Sequence, residues 1–416
     1  MMGNVSRYIV RLAAVLTLLC VISCGNDSFG PSIFDTEKRP LDRKSYTFAL
    51  DTFCVRNFLE PYNMRFLYRM EDIASDMQYN LVPCSYDKSV SLAVLCKYLW
   101  YDVYRDCVPD GEVFLKKYSP RIIHVIGSPA YNPVQGTEVL GTAEGGIKIT
   151  LYNAEHLSPD NIEYMNRYFF KTMHHEFGHI LNQNVNRPAD FDRISNGKYN
   201  SVSWSATPDS VALSQGFISP YASSQAAEDW VELTAVYIVT DTVSWNSMMR
   251  TASYQWEYVD DVDAAWWNQL NEKVGRGEAV RDSVGYFVKK TSLAGDEALT
   301  YGIVRKSILR DDDGKYALTD ADGNIVYLHT SGVIGNQVIE HKLNMVREWL
   351  MRYFNVNLDK LRMGVQHRQW LTDGNGDFVL DAGGRFINNL TFVRPDGTTL
   401  LQELRNQVFE YGKISE

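Results

Sequence analysis

The chain has 416 residues, 45% of them apolar, enough to bury one large core or two ordinary ones. Its net charge of -10 argues against nucleic acid, or an anionic membrane surface, as a main partner. No block of like charges marks a disordered tail, which leaves an acidic globular body as the baseline.

Arg7 and Arg11 flank the start of an apolar run, Leu12 to Ile22. That run is short of the roughly 20 apolar residues a membrane span needs. A basic start, an apolar middle and small residues at the end make a secretory signal. The run closes on Val21-Ile22-Ser23-Cys24, which resembles the lipobox of bacterial lipoproteins. That resemblance implies cleavage before Cys24 and acylation of it, so 1–23 reads as a signal peptide and 24–43 as lipid anchor and tether. Gly25-Asn26-Asp27-Ser28 is similar to the short polar tether of surface-exposed lipoproteins of Bacteroidetes. The expected location is the cell envelope, as an outer-membrane lipoprotein held to the membrane by its lipid alone. Cys54, Cys84, Cys96 and Cys107 form no CxxC pair, so a cysteine-based metal site is not expected. Disulfides and buried thiols both stay open.

Further along, Leu67 to Met77 and Ser89 to Tyr104 carry helical apolar spacing. Arg121 to Ile126 is β-rich and bounded by Pro120 and Gly127, so it predicts a strand. Gly141 to Tyr152 predicts a hairpin whose second arm is half-buried or at an edge. Asn161 to Asn182 predicts a long helix, capped by Ser158, with Pro159 and Asp160 suited to its first turn. Asn184 to Pro220 reads as loop, Ser223 to Val239 as a second helix, and Trp256 to Lys290 as largely helical. Asp311 to His329 suggests hairpins and Val338 to Phe354 another helix. Asp373 to Asn406 alternates turns and short strands before a last helix. No internal repeat is read.

Within the Asn161–Asn182 helix stands His175-Glu176-Phe177-Gly178-His179, an HExxH motif. Imidazoles at i and i+4 project from one face, one turn apart, and can share one metal ion. Neutral imidazole nitrogens suit zinc. Glu176 is placed to take a proton from the attacking water and hand it to the departing amine. His174 offers no rival register, because its i+4 partner is Gly178. A catalytic zinc wants a third protein ligand. The third histidine of metzincins would fall on Val185, so a carboxylate from a later helix is expected instead. Glu228 and Glu232 share a face of the otherwise apolar helix 223–239; Glu228 is assigned to the metal and Glu232 to orienting a ligand imidazole.

HEFGH at 175–179, with Tyr221 and Glu228-Asp229-Trp230-Val231-Glu232 some fifty residues later, resembles the peptidase domain of anthrax lethal factor. It is also similar to the zinc metallopeptidase lipoproteins of Bacteroidetes that are associated with TonB-dependent substrate import. The resemblance covers roughly residues 120 to 240, plus the N-terminus. It implies that Tyr221, seven residues before the glutamate ligand, stabilises the developing oxyanion. Val231 stands where alanine is usual, and Thr234 where an aromatic is common.

Together these readings predict an α+β, zincin-like fold of the gluzincin type, with a small twisted sheet, the HExxH helix and the downstream glutamate helix. The catalytic domain is expected over 44–300, and a helical and hairpin region over 301–416. The expected function is zinc-dependent hydrolysis, most simply of a peptide or peptide-containing substrate, serving nutrient import. Two alternatives stay open: a non-catalytic lipoprotein that binds glycan or peptide for a TonB-dependent transporter system, and amide hydrolysis in peptidoglycan or a glycoconjugate. Asp373-Gly374-Asn375-Gly376-Asp377 opens like an EF-hand loop, but Phe378 holds the sixth position and Gly384 the twelfth, so a turn is expected.

Overall fold

The structure is a computed structural model that describes residues 41–70, 80–131, 138–139, 141–144, 147–276, 283–288, 300–314 and 316–413. The expected signal peptide, Cys24 and the expected tether up to residue 40 lie outside the described residues. The chain divides into two units, Met1–Ser45, of which only 41–45 are described, and Tyr46–Glu416, which carries everything below.

The second unit is a mixed α/β body with one dominant core. Helix α1, Phe48–Cys54, continues through a π-turn to Tyr62. Helix α2, Tyr86–Cys96, is buried without interruption from Ser89 onward, as a central core helix must be when it is apolar all round. A four-stranded sheet lies beside these helices: β1, Arg65–Leu67; β2, Ile122–Val125; β3, Gly141–Glu144; and β4, Lys148–Leu151. Its order is β1-β2-β4-β3, parallel except for the antiparallel β3–β4 hairpin. Ile123, His124 and Val125 are all buried, the pattern of a strand covered on both faces. The expected hairpin is present, but its arms exchange roles: β4 is interior, paired to β2, and β3 lies at the edge. Of the helix expected over Leu67 to Met77, residues 71–77 lie outside the described residues, and Leu67 itself ends a strand, because pairing with His124 outweighs its helical spacing.

Two long helices carry the sequence motifs. One begins at Ile162, passes a π-turn at Asn166–Phe170 and becomes α3, Lys171–Asn184. Its cap is Asn161, whose side chain accepts from Tyr164 N, and not Ser158, whose hydroxyl is spent on Asp160. The other is α4, Ala226–Val239, buried from Glu228 to its end. The expected loop between them holds short helices, Ala189–Ile194 and Asp209–Ser214. Residues 256–290 correct the helical reading. Trp256–Asp263 (β5), Ser283–Val288 (β6) and Thr300–Lys306 (β7) form a sheet of order β5-β7-β6, and among the described residues of this stretch only Ala264–Gly275 is helical. Tertiary pairing decides it, since β5 and β6 both hydrogen-bond to β7.

Helices α5, Gly335–Phe354, α6, Leu358–Gln369, and α7, Leu400–Tyr411, complete the unit, and α5 and α6 pack on α4. Around them the chain contains an internal repeat. In residues 307–328, Leu309 N bonds Val326 O, Val326 N bonds Leu318 O, and Leu318 N bonds Leu309 O, a closed three-arm cycle. Leu371, Ile387 and Val379 make the same cycle in residues 369–390. Each copy turns twice on Asp-x-x-Gly: Asp311–Gly314 and Asp320–Gly323, then Asp373–Gly376 and Asp381–Gly384. All four glycines have positive φ, which a side chain would strain. Asp373 accepts from the backbone of Asn375 and Asp377, so the EF-hand-like stretch is a turn.

Candidate metal centre

The crossing of α3 and α4 creates the site. A Cβ on Gly178 would come 2.9 Å from Val231 Cγ1 and 3.1 Å from its Cβ, so glycine is what lets the two helices approach. At that approach His175 and His179 face Glu228. Glu228 Oε2 is 3.0 Å from His175 Nε2 and 3.3 Å from His179 Nε2. Ligand atoms of these three residues all lie within 4.8 Å of one another, and among the described residues no other His/Cys/Asp/Glu group does this.

Tetrahedral ligands roughly 2.0–2.1 Å from zinc lie about 3.3 Å from one another, so the observed separations suit that ion. The donor chemistry agrees, with two imidazoles and one carboxylate. The ring of His175 is fixed from behind, since Glu232 Oε2 lies 2.9 Å from its Nδ1. That bond keeps a proton on Nδ1, so Nε2, which faces Glu228, is the nitrogen that would give up its own proton to bind a metal. His179 is only partly buried.

The electrostatics follow from burial and these bonds. Burial disfavours an imidazolium at His175, but hydrogen bonds to Glu228 and Glu232 outweigh it and lift the group to about 9. Burial likewise opposes charge on Glu228, and hydrogen bonds to both histidines overcome it, holding the carboxyl well below the usual range. At Glu232 the opposing burial is overcome first by the charge of Lys171, 2.8 Å away, and then by the bond to His175. Glu176 goes the other way: burial raises it, while the two histidines pull it down. Raised proton affinity suits a group that must accept a proton.

Tyr221 opens the short turn Tyr221–Ser223, its ring centroid 5.8 Å from that of His175 and 5.0 Å from Trp204. Partial burial, with the residue still 36% exposed, and then the negative charge of Glu228 hold the phenol protonated. All the expected site residues of the body therefore meet in one place: His175, Glu176, His179, Tyr221, Glu228 and Glu232. Neighbours absent from the sequence reading are Lys171, Ser219 and Gln225, whose Nε2 donates to Glu228 Oε1 at 3.2 Å. Lys171 had a signal, one turn before His175 on the same face. Ser219 and Gln225 lie in irregular backbone with no periodicity to expose them.

A buried ion pair steadies the glutamate helix. Lys342 of α5 is fully buried and lies 2.6 Å from Asp229 Oδ2, next to Glu228. Its ammonium also donates to Gly216 O, and Tyr199 donates to Asp229, so the segment before α4 is tied to the same point.

Residues 43–359 match a family described as "Putative zinc-binding metallo-peptidase". A solved structure described in the same words, from Bacteroides caccae ATCC 43185, is 30% identical. The match covers 77% of this chain and 91% of that one, with a TM-score of 0.51. No curated protein matches.

Proposed function

We propose, from the premise that the chain belongs to this zinc-binding metallo-peptidase family, that it is a zinc-dependent peptidase of the gluzincin type. His175, His179 and Glu228 would hold the ion. The observation that carries the reading is the convergence of their three donor atoms within 4.8 Å, with Glu232 on the outer nitrogen of His175. Zinc, when bound, supplies Lewis acidity toward a peptide carbonyl and makes water acidic.

The chain's own residues supply the rest. Glu176 takes a proton from the attacking water onto its carboxylate and delivers it to the amine nitrogen as the C–N bond breaks. Tyr221 donates a hydrogen bond to the carbonyl oxygen as that oxygen gains charge. An extended substrate adds along β3, which runs beside α3 and whose outer edge has no strand partner among the described residues. The zincin-like fold and the likeness to the lethal factor peptidase domain rest on the motif spacing. Lipid anchoring at Cys24, an outer-membrane location and service to a TonB-dependent uptake system rest on the N-terminal sequence and its resemblance. No described helix is long and apolar enough to cross a membrane.

The test is Glu176→Gln, assayed against a fluorogenic peptide library with zinc content measured in parallel. Cleavage should fall by about 10²–10⁴-fold while zinc stays bound. Full hydrolysis by the zinc-loaded variant would dismiss Glu176 as the base and the mechanism with it.

A further inference from the structure

The Glu232 carboxylate is a junction rather than a single contact. Oε2 faces His175 Nδ1 at 2.9 Å; Oε1 receives Lys171 Nζ at 2.8 Å and Ser219 Oγ at 3.1 Å. Glu232 is 2% exposed, and a carboxylate so deep needs its charge and its lone pairs met. Lys171 lies one turn before His175 on α3, so one helix supplies both the ring to be oriented and the cation that anchors the orienting group.

Charge counting gives the same answer. Glu176, Glu228 and Glu232 bring three negative charges to a site meant for a divalent ion with neutral imidazoles. Lys171 brings the total to zero. Ser219 adds a second link: its hydroxyl donates to Glu232 and accepts from Ala222 N at 3.2 Å, inside the turn that Tyr221 opens. The ring of His175 and the backbone beside Tyr221 thus share one anchor.

We infer that Lys171 and Ser219 are positioning residues of the metal centre, acting through Glu232 to hold the His175 ring in its ligating pose. The inference rests on the zinc reading proposed above. Its test uses the full chain, with zinc affinity read by competition against a chromophoric chelator and the visible absorption of the cobalt(II)-loaded protein as a second readout. Lys171→Met should weaken zinc binding by about 10–100-fold and shift the cobalt bands, Lys171→Arg should recover most of both, and Ser219→Ala should weaken binding less. In a Glu232→Ala background, neither change should weaken binding further, because the junction is already gone. Lys171→Gln, which keeps a donor without the charge, is the second variant should Lys171→Met fail to fold; it too should bind zinc more weakly than wild type. Wild-type affinity in the Lys171 variants, or an equal loss in the Glu232→Ala background, would overturn the inference while leaving the zinc site standing. A wild-type chain that binds no zinc would instead overturn the reading beneath it.

Discussion

Gly178→Ala tests whether the α3–α4 crossing is as tight as described. The added methyl would stand 2.9 Å from Val231 Cγ1, where carbon pairs normally rest about 3.5–4.0 Å apart, so the helices must separate by some tenths of an ångström or Val231 must turn. Overpacking of this kind costs about 1–3 kcal/mol, and the helix preference for alanine over glycine returns about 1 kcal/mol. The net expectation is a loss of about 0–2 kcal/mol. Val231 is fully buried, and Val231→Ala alone removes two methyls at about 0.8 kcal/mol each, plus a cavity term. In the double variant the new methyl fills the space the old ones left. The two changes should therefore couple favourably by about 1–2 kcal/mol, within the range seen for residues in contact. Urea unfolding followed by tryptophan fluorescence, on wild type and all three variants, completes the cycle. Costs that simply add, to within about 0.5 kcal/mol, would refute the contact and the packing argument built on it.

Two further outcomes follow from buried groups. Lys342→Met strands Asp229, which is 1% exposed, and should cost about 3–5 kcal/mol; converting Asp229 to Leu as well should recover much of that loss in the same unfolding assay. The four cysteines of the body are free, and burial pushes the Cys84 thiol up to about 11 and raises Cys54, Cys96 and Cys107 as well. A higher pKa means less thiolate at pH 8, so native protein should resist iodoacetamide while denatured protein takes up label at all four. Rapid native labelling, or a disulfide-linked peptide by mass spectrometry, would contradict this.

The candidate site was legible because its chemistry sits on helices. His175, His179, Glu228 and Glu232 obey a spacing of three to four residues, and that spacing survives into three dimensions. Lys171 obeys it too, but a lone lysine on a helix carries no chemical signature until its partner is known. Ser219 and Gln225 reach the site through turns, where sequence distance says nothing about direction. The fold was legible where the apolar period was long, as in α3 to α5, and misleading where pairing partners decide. Trp256–Asp263 is a strand because Thr300–Lys306 lies beside it, a fact held more than thirty residues away. The repeat had a signal in its four Asp-x-x-Gly turns, but its arms are so short that their alternation does not rise above loop composition.

The most direct measurement is the zinc content of the purified full chain beside Glu228→Ala. One zinc per wild-type chain, nearly lost in the variant while its circular dichroism stays native, is the expected result. No zinc in the wild type after reconstitution, or undiminished zinc in Glu228→Ala, would contradict the centre assigned to His175, His179 and Glu228.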